Sequence, residues 1–429
     1  TGRFAIGNTT NYYRKYKYRG SLNLRFEQLR GRFYEEEITN KFSVRWNHSQ
    51  DVKAHPSLKF SASINYTSDN NSKTSLATYN PDYFSNTFNS SIKLSKSWKT
   101  RNFRGSWSMN NSLQQNSASS RYNIELPSFN LTVSQFDLGV FRKNKVGTKW
   151  YENINVRYGL NSANTISIAD SVFNELNFPT IADHALNGIK QDVTVNSNLK
   201  LLGNRFTFTP SASYSEIWNF QYEQHTQPGG DETPIDTTEV NGFGSARSLS
   251  FSGGFGFSFY GLYKFKGKNK TRFKHVALNN LSFTFKPDIS AFQTFTIDTS
   301  TTGADPIVYN ISPFNASKYT EPGFGESGNI RWSTSNSVKM KKRDKNDTIN
   351  ETDKTFNVID ALSWSGSYDI FKDSFQLSAQ TFQFRTAKLF NIFSFQSSAT
   401  LNPYSYDSLN RVSADYAWKD KQGIGTITR

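Results

Sequence analysis

The chain has 429 residues, a formal net charge of +15 and no cysteine. The lack of cysteine excludes a disulfide framework and thiolate metal sites. No stretch approaches the ~18 consecutive apolar residues that a membrane-spanning helix needs. The length allows several ordinary domains or one very large sheet.

The composition combines many aromatic residues with a low average hydrophobicity. The chain contains 37 Phe, 21 Tyr and 8 Trp, yet its mean hydropathy is -0.64. A soluble β-sandwich would bury its apolar faces in a shared core. A membrane barrel turns apolar and aromatic side chains toward lipid and keeps a polar lumen. The composition therefore favours a membrane barrel.

The first residues contain no signal peptide. Thr1 opens directly into strand-like sequence, without the charged start and apolar core of a secretory signal. Because an exported barrel needs such a signal, we expect the chain to be an internal piece of a longer precursor.

The clearest early element is a hairpin from Lys41 to Thr67. Two runs of alternating residues flank a polar corner that carries Asp51 and Pro56. Successive side chains of a strand point to opposite faces, so each run has one apolar and one hydrophilic face. The hydrophilic face would line the lumen of a barrel, and the candidates for lumen-facing residues on it are Arg45, Asn47, Lys59, Ser61, Ser63 and Asn65.

The same alternation recurs along the chain in roughly 17 segments. It is clearest from Leu249 to Tyr263, where Phe and Leu alternate with Ser and Gly. Many segments reach the ~9–11 residues that cross a bilayer at a tilt, and none has an apolar period of 3.6. The sequence therefore predicts almost no helix and an all-β fold. We interpret residues 1–429 as one domain, part of a large antiparallel transmembrane β-barrel.

The connections between the segments alternate in kind. Short basic turns are predicted at Arg14-Lys15, Lys99 to Asn102, Arg142 to Lys149, Leu202 to Asn204 and Lys264 to Lys274. Long neutral or acidic loops are predicted at Asp69 to Ser85, Asn161 to Asn187, Glu223 to Gly242 and Asp298 to Gly325. Outer-membrane barrels have short periplasmic turns and longer extracellular loops, so the Asp51–Pro56 corner is predicted to be periplasmic. The Lys341–Lys354 connection is long for such a turn, and Phe371 to Ser374 is short for an outer loop.

One turn is strongly basic. Its cations are Lys264, Lys266, Lys268, Lys270, Arg272 and Lys274. In a soluble protein this run would suggest a nucleic-acid patch. On the rim of a barrel it indicates solvated turns, attraction to anionic lipid headgroups, or guidance of a phosphate-bearing substrate. We predict no nucleic-acid partner.

No residue pattern predicts an enzyme, a metal site or a cofactor. The acidic residues Asp231, Glu232, Asp236 and Glu239 lack the spacing of a calcium loop. The five histidines are scattered and match neither a metal-ligand spacing nor a nucleophile motif. A catalytic set assembled from distant parts of the sequence stays open as an alternative.

Seven short motifs occur in order along most of the chain. They are W-N-H-S-Q-D-V-K-A-H-P at 46–56, F-S-A-S-I-N-Y at 60–66, L-P-S-F-N-L at 126–131, K-W-Y-E at 149–152, G-E-S-G-N-I at 325–330, M-K-K-R-D-K-N-D at 340–347 and L-N-P-Y at 401–404. Together they resemble the family of the lipopolysaccharide-assembly protein LptD, in a branch without cysteine pairs. The family-like turn motif consists of His48, Ser49, Gln50, Asp51, Lys53 and Pro56.

The resemblance implies a translocon of the outer membrane that inserts lipopolysaccharide into the outer leaflet. Such a protein has a periplasmic jellyroll and a barrel of roughly 26 strands, near the upper end of common bacterial barrels. It implies an LptE-like lipoprotein plug, periplasmic bridge proteins and a lateral gate between the first and last strands. The present chain would be an internal part of that barrel, without the jellyroll and terminal strands.

Three other classes remain open from the sequence. A TonB-dependent receptor or a protein-secretion translocon would show the same strand pattern, and a receptor would carry a plug domain before Thr1. A structural or adhesive barrel would act through its outer loops. A soluble basic β-rich module would need no detergent.

Overall fold

The computed structural model of the chain consists almost entirely of antiparallel β-strands. It describes residues 3–30, 38–68, 87–116, 121–142, 149–169, 184–203, 205–228, 234–265, 271–297, 307–343, 353–389, 393–407, 409–421 and 423–427. Two short 3-10 helices, Leu138–Phe141 and Trp150–Asn153, lie in one connection. In the part of the chain so described, no helix is long and apolar enough to cross a membrane.

The strands are numbered in chain order. They are β1 (Arg3–Arg14), β2 (Tyr18–Arg30), β3 (Ile38–Gln50), β4 (Leu58–Thr67), β5 (Thr87–Lys99), β6 (Arg104–Asn116), β7 (Arg121–Asp137), β8 (Ile154–Ala169), β9 (Ala185–Ser197), β10 (Leu199–Leu201), β11 (Phe206–Thr226), β12 (Asp236–Lys264), β13 (Arg272–Lys286), β14 (Gln293–Ile297), β15 (Ile307–Ile311), β16 (Ser327–Arg343), β17 (Asp353–Asp369), β18 (Gln380–Leu389), β19 (Phe393–Asn402), β20 (Tyr404–Tyr406), β21 (Val412–Tyr416) and β22 (Thr426–Ile427).

Among the described residues, one sheet contains 18 of these strands. Each pairs with strands close to it in the chain order, and β13 pairs with β16 and β19 with β22 across the hairpins between them. β9 and β10 are two pieces of one strand, because both pair with β11, so the sheet has about 17 positions. β14–β15 and β20–β21 form separate hairpins within connections. Among the described strands, no ladder joins β1 to β19 or β22. The predicted fold class, all-β with a large antiparallel sheet of about this many strands, is confirmed.

Because every strand reverses direction, the connections fall at two ends of the sheet. At the first end the chain passes from β1 to β2, β3 to β4, β5 to β6, β7 to β8, β10 to β11, β12 to β13, β16 to β17 and β18 to β19. At the second end it passes from β2 to β3, β4 to β5, β6 to β7, β8 to β9, β11 to β12, β13 to β16, β17 to β18 and β19 to β22. All the predicted basic turns therefore share one end, together with the Lys341–Lys354 connection.

The sheet has two chemically different faces. On the apolar face, Phe251 and Phe255 of β12 are each 41% exposed and Phe259 is 59% exposed. The intervening serines and glycines belong to the polar face. Apolar rings exposed on one whole face of a sheet are what lipid contact requires.

Three predicted long loops are wrong in their bounds. The loop predicted at Asn161 to Asn187 is shorter, because β8 runs to Ala169 and β9 begins at Ala185. The loop predicted at Glu223 to Gly242 is mostly hairpin, so Asp236 and Glu239 lie on β12. A ladder needs only paired backbone groups, and it continues where the apolar alternation has ended. Asp231 and Glu232 lie outside the described residues.

The loop predicted at Asp298 to Gly325 is also wrong. The connection starts after β13, at residue 287, and contains β14, β15 and a segment that folds back onto the sheet. The segment that folds back bonds to residues far away in the chain. Because these partners are distant, nothing in its local sequence distinguishes it from a solvated loop.

An aromatic cluster covers Gly20 on the apolar face near the first end. Trp46 Nε1 donates to the Tyr12 hydroxyl at 2.7 Å, and that hydroxyl shares a 2.9 Å hydrogen bond with His48 Nδ1. A Cβ atom on Gly20 would lie 2.2 Å from Tyr12 Cζ and 2.5 Å from the Asn47 carbonyl oxygen. The glycine is therefore needed for the ring to lie flat against the sheet.

We predict that Gly20→Ala destabilises the sheet by about 1–3 kcal/mol, because the added methyl group clashes with the backbone of β3. Gly7→Ala is the matched control, since its Cβ would have its nearest neighbour, the Leu24 carbonyl oxygen, at 3.4 Å. The measurement is the urea midpoint of the protein refolded in bilayers. Equal midpoints for the two variants would contradict this account.

Candidate functional site

The six predicted lumen-facing side chains lie together on the polar face of β3 and β4. Arg45 lies opposite Asn65, Asn47 opposite Ser63, and Ser49 opposite Ser61. Ser63 Oγ donates to Asn47 Oδ1 at 3.0 Å, and Arg45 Nε donates to Asn65 Oδ1 at 3.4 Å. Lys59 follows on the same face of β4, exposed like Ser61. The hairpin thus presents a hydrogen-bonded polar surface.

The polar face continues across the neighbouring strands. Directly opposed residues of an antiparallel ladder point to the same face. One row of opposed residues is Lys59, Ser95, Ser108, Asn130 and Asn161. All are hydrophilic, so one polar surface extends from β4 to β8.

Basic side chains form two rows on this face at the first end. Lys264, Arg272 and Lys341 are opposed across β12, β13 and β16, and Lys274 lies opposite Lys339 in the next row. We call these five residues the basic rows. Like charges placed directly opposite each other disfavour pairing. An anion bound between them relieves that repulsion, and Arg and Lys are the usual ligands of phosphate.

The sequence predicted only part of the basic rows. Lys264, Arg272 and Lys274 are brought together as expected, while Lys266, Lys268 and Lys270 lie outside the described residues. Lys339 and Lys341 were missed as members of the site because they come from a different strand. Their alternation with Met340 is a usable signal, since it places both on one face.

A segment from the second end folds onto the polar face. We call residues 312–321 the strap. The Tyr319 hydroxyl donates to Asn161 Oδ1 at 2.6 Å, and the Ser317 hydroxyl donates to the Gln221 carbonyl oxygen at 2.6 Å. Asn161 belongs to the same row as Lys59, so the strap lies on the predicted lumen face.

A cavity of about 780 Å³ opens beside the strap. Ala316 of the strap borders it, and Glu125, Thr165, Gln221 and Glu239 contribute polar side chains from the sheet. Amide, hydroxyl and carboxylate groups in such a cavity suit a hydrated, hydroxyl-rich ligand.

The Tyr319 hydroxyl is protonated at neutral pH. Burial, and to a smaller extent the Glu125 carboxylate, raise the pKa of Tyr319 to about 12. The group therefore remains a hydrogen-bond donor to Asn161.

The family-like turn motif builds a corner. Asp51 Oδ1 accepts a hydrogen bond from Lys53 N at 2.8 Å, and Gln50 Oε1 accepts one from Phe60 N at 2.8 Å. Lys53 Nζ lies 4.7 Å from the centre of the Tyr16 ring. Of the other members, His48 lies in the aromatic cluster, Ser49 lies on the polar face opposite Ser61, and Pro56 is exposed in the turn. The first two contacts shape the β3–β4 turn, and the Lys53–Tyr16 contact, with a 2.8 Å hydrogen bond from Asp51 N to the Lys17 carbonyl oxygen, holds it against the β1–β2 turn.

A sheet of this size, with exposed aromatic rings on one face and a continuous polar surface on the other, defines the wall of a large outer-membrane β-barrel. The sequence model of the family described as LptD protein matches residues 1–404. The chain therefore belongs to the LptD family, outer-membrane proteins of lipopolysaccharide transport. The resemblance seen in the motifs is confirmed. A comparison with curated proteins gives no match.

The register of β4 predicts different environments for two adjacent residues. With no native cysteine, Ser63→Cys should react with a membrane-impermeant maleimide, because residue 63 faces water on the polar face. Ile64→Cys on the apolar face should be protected by lipid. A spin label at each position, read by its accessibility to oxygen and to a nickel chelate, checks the assignment. Lipid exposure at residue 63 would overturn the register.

Proposed function

We propose that the chain forms part of the wall along which lipopolysaccharide crosses the outer membrane to the outer leaflet. The observation that carries this proposal is the continuous polar face opposite an apolar one. A saccharide needs hydrogen-bonding groups along its path, and the Ser and Asn side chains of β3 to β8 offer them. The acyl chains need an apolar route, which a lateral gate in the complete barrel would supply.

The basic rows are proposed to contact the phosphate groups of the lipid at the first end. All the predicted basic turns lie at that end and most of them are short, which supports placing it in the periplasm. Five cations on neighbouring strands attract a group with two or more negative charges far better than a neutral one. The basic rows therefore favour binding of a phosphorylated headgroup at the first end of the sheet.

The remaining roles are proposed from family membership. An LptE-like lipoprotein would fill the lumen, periplasmic bridge proteins would deliver the lipid, and the lateral gate would lie where the first and last strands of the complete barrel meet. The chain would supply a path and no catalytic step. Membrane lipids would cover the apolar face.

Depletion of the full-length protein in its own bacterium tests the function. We expect newly made lipopolysaccharide to accumulate inside the outer membrane and to disappear from the surface, measured by its accessibility to a membrane-impermeant label or antibody applied to whole cells. Re-expression of the protein should restore it. Normal surface lipopolysaccharide with loss of a nutrient or of secreted proteins would instead support a receptor or a secretion translocon.

Charge reversal tests the basic rows. The double variant Lys274→Glu and Lys339→Glu should slow lipopolysaccharide delivery about tenfold or more, because each substitution removes a charge-assisted hydrogen bond to phosphate and adds a repelling carboxylate. The double variant Lys93→Glu and Lys200→Glu, at basic residues elsewhere on the polar face, is the control with the same change of charge. Delivery is measured as surface label per minute at equal protein levels. An equal effect of both variants would argue against a specific phosphate contact.

A further inference from the structure

The apolar face contains a cavity across β3 to β7, which we call the trough. Its volume is about 440 Å³ and its surface is apolar. The large aliphatic side chains that line it are Val44, Ile64, Ile92, Leu113, Ile124 and Leu126. Ile92 lies opposite Ala62 and Leu113 opposite Ser90, so both share the face of Ile64. The trough therefore lies on the side of the sheet that contacts lipid.

A serine creates the depth of the trough. On the apolar face of β5, Ser90 stands between Phe88 and Ile92, where the alternation would place another large apolar side chain. Its hydroxyl turns to the β4 backbone, donating to the Asn65 carbonyl oxygen at 3.1 Å and accepting from Asn65 N at 2.9 Å. The hydroxyl is thus satisfied within the protein, and the short side chain leaves space above β5.

The hydroxyl of Ser90 takes the place of backbone pairing between β4 and β5. In the described part of the chain, their ladder ends at the pair Ser63 and Ser91. Both strands continue beyond this pair toward the second end. Ser90 is near the start of β5 and Leu113 near the end of β6, so the trough lies in the half of the sheet toward the second end.

A bulge in β7 forms the opposite wall of the trough. The ladders on both sides of β7 skip Leu126 and Pro127. Such a bulge bends a strand and changes the direction of its side chains. Leu126 borders the trough and is 47% exposed, while Ile124 beside it is 6% exposed. One wall therefore belongs to the sheet and its edge reaches into the membrane.

Contacts between distant strands enclose the trough toward the second end. Tyr66 of β4 packs against a buried cluster of Tyr122, Ile124 and Ile168. Gln115 Nε2 donates to the Thr67 carbonyl oxygen at 3.2 Å. These contacts connect the end of β4 to β6, β7 and β8. The shape of the trough is therefore fixed by packing and hydrogen bonds of the sheet itself.

We propose that the trough binds one acyl chain of a lipid of the surrounding membrane, in the leaflet at the second end. An empty trough would cost its lining atoms the dispersion contacts that a filled one provides. Water does not suit it, because a water molecule needs two or more polar partners and the Ser90 hydroxyl is already bonded to β4. The acyl chain is the apolar group that the membrane supplies in excess.

The size of the trough favours an acyl chain over a segment of another protein. Its volume is roughly that of 15 water molecules, and a methylene group is about as large as one water molecule. One turn of an α-helix, roughly 11 Å wide with its side chains and 5.4 Å long, would already occupy the whole volume. A thin, flexible chain can fill the trough along its length.

The trough recognises the chain and not the headgroup. None of the described residues that line it carries a charge. The site is therefore separate from the basic rows, which lie on the other face and at the first end. The proposal goes beyond the proposed function and stands even if the protein transports no lipid.

A photoreactive phospholipid tests the site without any substitution. The full-length protein is reconstituted in phosphatidylethanolamine and phosphatidylglycerol bilayers that contain a small fraction of phospholipid with a diazirine in one acyl chain. After irradiation, mass spectrometry locates the adducts. We expect at least fivefold more adducts at Ile64, Ile92 and Leu126 than at Phe255 and Phe259, which are exposed on the same face of β12. Adducts spread evenly over the apolar face would overturn the proposal.

Filling the trough provides the second measurement. Ile92→Trp places a large ring in the trough and leaves the hydrogen bonds of Ser90 unchanged, so adducts at Ile64 and Leu126 should fall to the level of Phe255. Leu281→Trp is the matched control, because Leu281 is 44% exposed on the same face, opposite Phe255. Undiminished adducts in folded Ile92→Trp would show that the chain binds elsewhere and overturn the proposal.

A second filling variant covers the case in which Ile92→Trp does not fold. Leu126 lies in a bulge and is half-exposed, so Leu126→Trp can fill the trough from its edge without disturbing a ladder. It should lower the adducts at Ile64 and Ile92 several-fold, again with Leu281→Trp as the control. Equal adducts in the two variants would contradict an acyl chain in the trough.

Discussion

The structure depends on one constraint: in hydrocarbon, each backbone N–H and C=O group must find its partner within the protein. An antiparallel sheet in which every strand pairs with its chain neighbour meets that requirement with short connections. It also forces alternate side chains onto opposite faces. One face can then contact lipid while the other contacts water. This explains how a chain that is hydrophilic on average forms the wall of a membrane protein.

The constraint is relaxed at the second end, where the strands extend beyond the apolar alternation. There the ladder between β9 and β11 ends at the pair Gly188 and Asn219, and among the described residues the strap lies along the adjoining edge of β11. The Asn219 side chain bonds the backbone N–H and C=O groups of Tyr319, and Glu223 N donates to the Pro313 carbonyl oxygen. The two ends of the described sheet thus differ. Cations on paired strands lie at one end, and at the other lies a segment bonded by one side chain and single backbone contacts.

Much of the fold could be predicted from the residues alone. The hairpin around Asp51 was placed correctly because its alternation has period two over both strands, and the register then put Asn47 opposite Ser63. Loop bounds were wrong where alternation fades, as at Ala169 and Asp236. In water both faces of a strand can be polar, so the pattern that reveals a membrane strand disappears while its hydrogen bonds continue.

By itself the sequence determined the strand pattern, the two faces, the family and the six polar residues of β3 and β4. These follow from local periodicity and from motifs that stay contiguous in the chain. Only the tertiary structure decided that Lys339 joins Lys274, and that Tyr319 lies against Asn161 of a strand far earlier in the chain. Such contacts depend on which strands become neighbours and on where a ladder stops. Neither the choice of neighbouring strands nor the end of a ladder can be predicted from the alternation of a single segment.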